Sequence, residues 1–191
     1  MFTLYGSTTS PFVRRTRLLL ADTDFTFNKI NIFNPEDKAE LRKVNPTLKI
    51  PMLQDGDNYI YDSKVIYRYI AEKLGLPKCS WDQENLLTTI DSANDTFVQL
   101  FLLTKSDFDV KSDRLYFNMQ QARLDTVLPF LDEQAKTGAF DEWHYPSICL
   151  FCMMDWLMFR KFHDFSVYEN LMAFHARFKG REDVVATQHE D

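Results

Sequence analysis

Cysteine is scarce in this chain, with Cys79, Cys149 and Cys152 its only three. An odd, sparse set cannot frame a disulfide-stapled secreted domain, and it fits reduced thiols in a cytoplasm. Positive charge is in deficit, with 22 Lys and Arg against 28 Asp and Glu and a net charge of -6, which argues against broad nucleic-acid binding. Long apolar runs are missing as well. None approaches the ~18 residues of a transmembrane helix, so no membrane role is expected. The start Met1-Phe2-Thr3-Leu4-Tyr5 has no charged segment leading into an apolar stretch, so no secretory signal is expected. The four histidines (His144, His163, His175, His189) show no metal-ligand spacing, and no metal is expected. With only 5 Gly and 7 Pro, no low-complexity segment is present.

What is abundant is apolar. The 191 residues are 45% hydrophobic and 15% aromatic, and 17 of them are Phe. That composition gives a packed globular chain with a large core, long enough for one large domain or two small ones.

The first 75 residues alternate strand and helix signals. Residues 2–5 read as a strand. Pro11 to about Asp22 reads as an amphipathic helix, with Arg14, Arg15 and Arg17 expected on its solvated face and one of them within reach of a ligand pocket as the alternative. Phe25 to Phe33 alternates apolar and polar as a half-buried strand does. Asn34-Pro35-Glu36 opens a weaker helix that ends near Val44. Ile50–Leu53 and Tyr59–Tyr61 read as short strands around an Asp55-Gly56-Asp57-Asn58 turn. Ser63 to Leu74 carries a buried stripe of Val65, Ile66, Tyr69, Ile70 and Leu74, and Gly75 stops it. Beyond Leu76–Ser80 strand signals vanish. Helical patterns follow over Trp81–Thr104, Ser112–Lys136, Ser147–Phe162 and Val167–Phe178. Pro129 is expected to kink or interrupt the second of these. The polar tail from Gly180 is expected to pack along the surface. Cys149 and Cys152 have a redox-like spacing but lie in an apolar helix pattern, which reads as two buried thiols.

Ser10 stands just before Pro11, at the turn from strand to helix. Serine there is a strong N-cap, and proline is preorganised for the first helical position. The Ser10 hydroxyl would sit at the positive end of a helix dipole, where a thiolate is stabilised. An ordinary cap is the simpler reading. Tyr5, at the end of the first strand, and Ser7 and Thr9, in the loop, are rival hydroxyls. Asp62-Ser63 likewise caps a helix and could hold an anion. Pro51 could be a trans proline opening an edge strand or a cis proline held by packing.

Three segments in this order resemble the glutathione S-transferases, of the bacterial type with a serine at the first helix. They are Ser10-Pro11-Phe12-Val13, then Asn45-Pro46-Thr47-Leu48-Lys49-Ile50-Pro51, then Asp62-Ser63-Lys64-Val65-Ile66 with Tyr69. The resemblance implies an α/β thioredoxin-like domain over 1–76 followed by an all-α helical domain over 81–191. It implies a cis Ile50-Pro51 bond. It also implies that Lys49, Ile50, Pro51, Asp62 and Ser63 bind glutathione as co-substrate. Ser10 would then donate a hydrogen bond to the glutathione sulfur, with Tyr5 as the alternative. The implied reaction conjugates glutathione to a small hydrophobic electrophile, for which Phe12, Phe101, Phe108, Tyr116 and Trp156 are candidate wall residues. A cytoplasmic homodimer is implied, with Tyr67, Tyr69 and Phe97–Leu103 at the contact. A non-catalytic interaction protein and a glutathione-dependent reductase or peroxidase are the alternatives. A reductase would prefer cysteine at position 10, because serine cannot form a mixed disulfide.

The chain departs from the family twice. Leu48 stands where the second segment has glycine. Leu150 stands where the late helix has the aspartate of its capping box, three residues after Ser147.

Overall fold

The computed structural model describes residues 1–190. Its chain divides into two units. One is Met1–Lys78 together with the stretch from Lys179 on, and the other is Cys79–Phe178. The tail, expected with the helices, thus groups with the first unit.

In the first unit, β1 (Phe2–Gly6), β2 (Phe25–Lys29), β3 (Met52–Asp55) and β4 (Asn58–Tyr61) form one sheet in the order β2-β1-β3-β4. β1 runs parallel to β2 and antiparallel to β3, and β3 is antiparallel to β4. Helices α1 (Pro11–Leu19), α2 (Pro35–Val44) and α3 (Ser63–Leu74) complete a thioredoxin-like β-α-β-α-β-β-α order. β2 is shorter than its apolar alternation predicts. It ends at Lys29, and residues 30–33 turn toward the Asn34 cap of α2.

Alternation builds the core. Phe2 and Leu4 point inward from β1 and meet Val13 and Leu20 of the α1 segment, Leu53 of β3, and Ile66 and Ile70 of α3. Each such side chain contributes about 1.5–3 kcal/mol by leaving water. Gly6 lets α1 come close, since a Cβ there would lie 2.5 Å from Val13 Cγ2. Gly75 closes α3 in the left-handed conformation, with φ of 65°.

The arginines of α1 overturn an expectation. Arg14 and Arg15 are buried, at 1% and 2% exposure, and not on a solvated face. Pro11, Arg14, Arg15 and Leu18 occupy positions i, i+3, i+4 and i+7, the inward stripe of a helix. Position outweighs polarity because each guanidinium finds acceptors, described below.

In the second unit, α4 (Trp81–Lys105), α5 (Leu115–Lys136), α6 (Tyr145–Phe159) and α7 (Glu169–Phe178) pack together, and α6 is apolar all round and buried. Pro129 does not interrupt α5, which runs unbroken from Leu115 to Lys136. Cys149 and Cys152 are buried in α6, as expected. α6 also starts earlier than predicted, at Tyr145. Its cap is His144, whose Nδ1 accepts the Ser147 N–H at 3.2 Å, while the Ser147 hydroxyl donates to the Glu142 carbonyl at 2.7 Å. An imidazole and a backbone carbonyl thereby stand in for the missing aspartate. No described helix is long and apolar enough to cross a membrane.

Candidate active site

Strand register brings three distant segments to one end of the sheet. Tyr5 pairs with Met52, and Met52 pairs with Tyr61. β1 therefore ends, β3 begins and β4 ends at the same edge. The next residues outward are the Ser7–Ser10 loop, Ile50-Pro51 and Asp62-Ser63. Separations of about fifty residues in sequence collapse because the antiparallel pairs are in register.

Ser10 is the N-cap of α1 and its Oγ accepts the Val13 N–H at 3.3 Å. That bond uses the oxygen lone pair, so the O–H hydrogen is left to donate. The loop before it is tied internally. The Ser7 and Thr9 hydroxyls lie 2.9 Å apart, and Ser7 Oγ also accepts the Thr9 N–H at 3.2 Å. Tyr5 donates its phenol to Gln54 Oε1 at 2.7 Å, so its proton is committed to the sheet.

The Ile50-Pro51 bond is cis. Pro51 is buried, Ile50 is half-buried and Lys49 is exposed. Asn45, fully buried, shapes the approach. Its Nδ2 donates to the Lys49 carbonyl at 2.8 Å, and its Oδ1 accepts the Thr47 N–H and hydroxyl at 2.9 and 2.7 Å. Leu48 sits at φ of 55°, so the turn keeps a left-handed residue although a side chain replaces glycine. A left-handed L-residue costs about 1–2 kcal/mol, and glycine's extra freedom in the unfolded chain offsets part of that gain. Leu48→Gly is therefore expected to raise stability by about 0.5 kcal/mol. Thermal unfolding checks this, and a lowered melting temperature refutes it.

Asp62 caps α3, its Oδ1 accepting the N–H groups of Lys64 at 2.9 Å and Val65 at 3.4 Å. Its φ of 69° is a left-handed conformation for a non-glycine residue, strain of a kind that collects at functional sites. Ser63 is the first residue of α3 and is 2% exposed. Its Oγ accepts from Arg15 Nε at 2.9 Å and also from Arg15 Nη2. Arg15 further lies over the Phe12 ring, 5.0 Å from its centroid. The Ser63 oxygen accepts in both contacts, and the O–H is the one donor of its side chain. Arg15 thus adds a buried positive charge beside the start of α3, where the helix dipole already favours an anion. The stripe containing Arg15 was the sequence signal for this residue.

Comparison with known proteins bears on the same unit. Residues 4–78 match the family model described as glutathione S-transferase, N-terminal domain. Glutathione S-transferase F13 of Arabidopsis thaliana is 38% identical over 73 residues, which are 37% of this chain and 33% of that relative. The matched stretch is thus about a third of that relative's length. A glutathione S-transferase from Methylobacillus flagellatus, solved with glutathione bound, superposes with a TM-score of 0.85 at 21% identity, covering 100% of both chains. A glutathione transferase family member from Pseudomonas fluorescens, also with bound glutathione, does so with a TM-score of 0.86 at 23% identity and the same coverage.

Proposed function

Because residues 4–78 match the glutathione S-transferase N-terminal domain, we propose that this chain belongs to that family and conjugates the glutathione thiolate to small hydrophobic electrophiles. The observation that carries this reading is the convergence of the Ser10 loop, Ile50-Pro51 and Asp62-Ser63 at one end of one sheet. Glutathione is the ligand proposed because the family is defined by it and two proteins of this fold hold it in their crystals.

In this reading the Ile50 backbone pairs with the tripeptide, and Lys49 and Pro51 flank it. Ser63 and the positive end of α3 hold the γ-glutamyl carboxylate, and Asp62 pairs with its ammonium. Ser10 donates its hydroxyl hydrogen to the sulfur. Lowering the thiol pKa by ~2 units from about 8.5 takes roughly 2.7 kcal/mol. One charge-assisted hydrogen bond supplies roughly 1.5–3 kcal/mol, and the dipole of α1 adds to it. The thiol proton leaves to solvent. The thiolate pair then forms a carbon–sulfur bond as the leaving group departs with its own electron pair. Three cysteines without disulfides fit a reducing cytoplasm for this chemistry.

A glutathione-dependent reductase is the second reading. It needs an exposed thiol at the helix start, and this chain offers Ser10 there and buries Cys149 and Cys152 in α6. Retention on immobilised glutathione, followed by turnover of a chlorinated aromatic against a disulfide substrate, tests both. Retention with faster turnover of the aromatic is expected. Retention with turnover of the disulfide alone makes the protein a reductase, and failure to be retained makes it an interaction protein.

We also propose a homodimer, the commonest closed oligomer. Of the residues the resemblance implies at the contact, Tyr67 and Phe97 are buried within the protomer at 5% and 2% exposure, while Leu102 of the Phe97–Leu103 stretch is 44% exposed and available. Val65 of α3, expected in the buried stripe of that helix, is instead 49% exposed and available beside it. Sedimentation at micromolar concentration should show twice the chain mass. A species of single chain mass refutes the dimer.

A further inference from the structure

The stretch beyond Lys179 makes contacts with the first unit that the proposed chemistry does not use. α8 (Glu182–Ala186) lies against α1, and Val184 is 2% exposed. A short helix ends in carbonyls without helical partners. Here the arginines of α1 take them. Arg14 Nη2 donates to the Val184 carbonyl at 3.1 Å and its Nε to Thr187 Oγ1 at 3.5 Å, while Arg17 Nη2 donates to the Ala186 carbonyl at 3.4 Å. Positive charge at a helix C-terminus is also favoured by the dipole.

Past α8 the chain reaches the loop before Ser10. Thr8 Oγ1 donates to the Glu190 carbonyl at 3.1 Å. His189 Nδ1 lies 3.1 Å from the Thr8 carbonyl, and since a carbonyl only accepts, the ring nitrogen donates. Thr8 is 7% exposed and is held in both directions by residues more than 180 positions away. The Lys29 ammonium and the Glu190 carboxylate, 3.9 Å apart, add a solvent-exposed pair at the same place. The loop is therefore fixed twice, from within by Ser7 and Thr9 and from outside by the tail.

We propose that the segment from Arg181 to Glu190 is a strap that positions the Ser10 loop, acting through Thr8. Thr8 is a positioning residue; the hydroxyl that meets sulfur is that of Ser10. The strap explains why a polar tail is bound by a buried arginine. It also makes the geometry of Ser10 depend on the far end of the chain. This inference rests on the reading of Ser10 as the thiol-binding hydroxyl.

Two point variants test it in the full chain. Thr8→Val keeps the shape and removes the donor to Glu190. Thr8→Ser keeps the donor. Backbone hydrogen exchange over residues 7–13 should quicken about fivefold in Thr8→Val, the factor that loss of one hydrogen bond sets, and stay near the parent in Thr8→Ser. His189→Ala should quicken the same residues. The pH profile of kcat/KM with an aromatic electrophile should move to higher pH in Thr8→Val and His189→Ala, with glutathione affinity unchanged. Unchanged exchange in Thr8→Val, or equal damage from Thr8→Ser, overturns the strap. If the parent turns over no electrophile, the conjugation reading fails, and the exchange measurement still decides whether the tail fixes the loop.

Discussion

Ser10→Ala is expected to raise the pKa of bound glutathione by about one to two units, toward the ~8.5 of an ordinary thiol. The argument starts from the cap. Ser10 Oγ accepts the Val13 N–H, so its hydrogen is the part available to a ligand sulfur. A hydrogen bond to the charged form lowers a thiol's pKa, and its loss returns the pKa upward by 1.36 kcal/mol per unit. At pH 7 the thiolate fraction then falls about three- to twenty-fivefold, and turnover falls with it. Raising the pH restores the thiolate and part of the rate. Glutathione affinity should change little, because the tripeptide is held by the other two segments. Alanine also removes the cap, at about 1 kcal/mol of stability, so a melting temperature must accompany the kinetics. Tyr5→Phe is the control. Tyr5 gives its proton to Gln54, so that variant should leave the pH profile where it was. A shifted profile in Tyr5→Phe with an unshifted one in Ser10→Ala transfers the role to Tyr5.

Much of this site could be read in the sequence because it is built from local rules. Ser10-Pro11 caps and opens a helix wherever it occurs, and the structure has both at those positions. Asp62 caps α3 through its own carboxylate, and Gly75 ends it. What could not be read locally is which partners meet across the fold. The Arg15–Ser63 contact joins residues 48 positions apart, and the Thr8–Glu190 contact joins residues 182 apart. The arginines looked solvated because charge usually is. Their helical spacing was the better guide, since a buried guanidinium is tolerated once acceptors face it. The start of α6 lies ahead of Ser147 for a related reason. Ser147 is a good cap by type, and yet His144 caps the helix with Ser147 as its third residue, because an imidazole nitrogen accepts as well as a hydroxyl does. Leu48 shows the reverse case, where the turn survived the loss of its glycine because Asn45 dictates the backbone from 45 to 49.

Ser63→Ala is expected to weaken glutathione binding by about 1.5–3 kcal/mol, the range for a hydrogen bond to a charged group, or roughly 13- to 150-fold in Kd. Two losses combine. The O–H proposed to donate to the γ-glutamyl carboxylate disappears, and Arg15 loses the oxygen that receives both its Nε and Nη2. Arg15 is 2% exposed, so its charge is poorly served by water, and the variant should also melt at a lower temperature. Arg15→Lys separates the two losses. Lysine keeps a positive charge but is a point donor on a flexible stem, unable to reproduce the planar fork. It should cost part of the affinity with Ser63 intact, while the pH profile of turnover stays put, because the sulfur is served from Ser10. Calorimetric titration of glutathione into the two variants and the parent reads this directly. Unchanged affinity in Ser63→Ala removes Ser63 from the site. A full loss in Ser63→Ala beside none in Arg15→Lys leaves Ser63 as a ligand and makes Arg15 a core residue that happens to touch it.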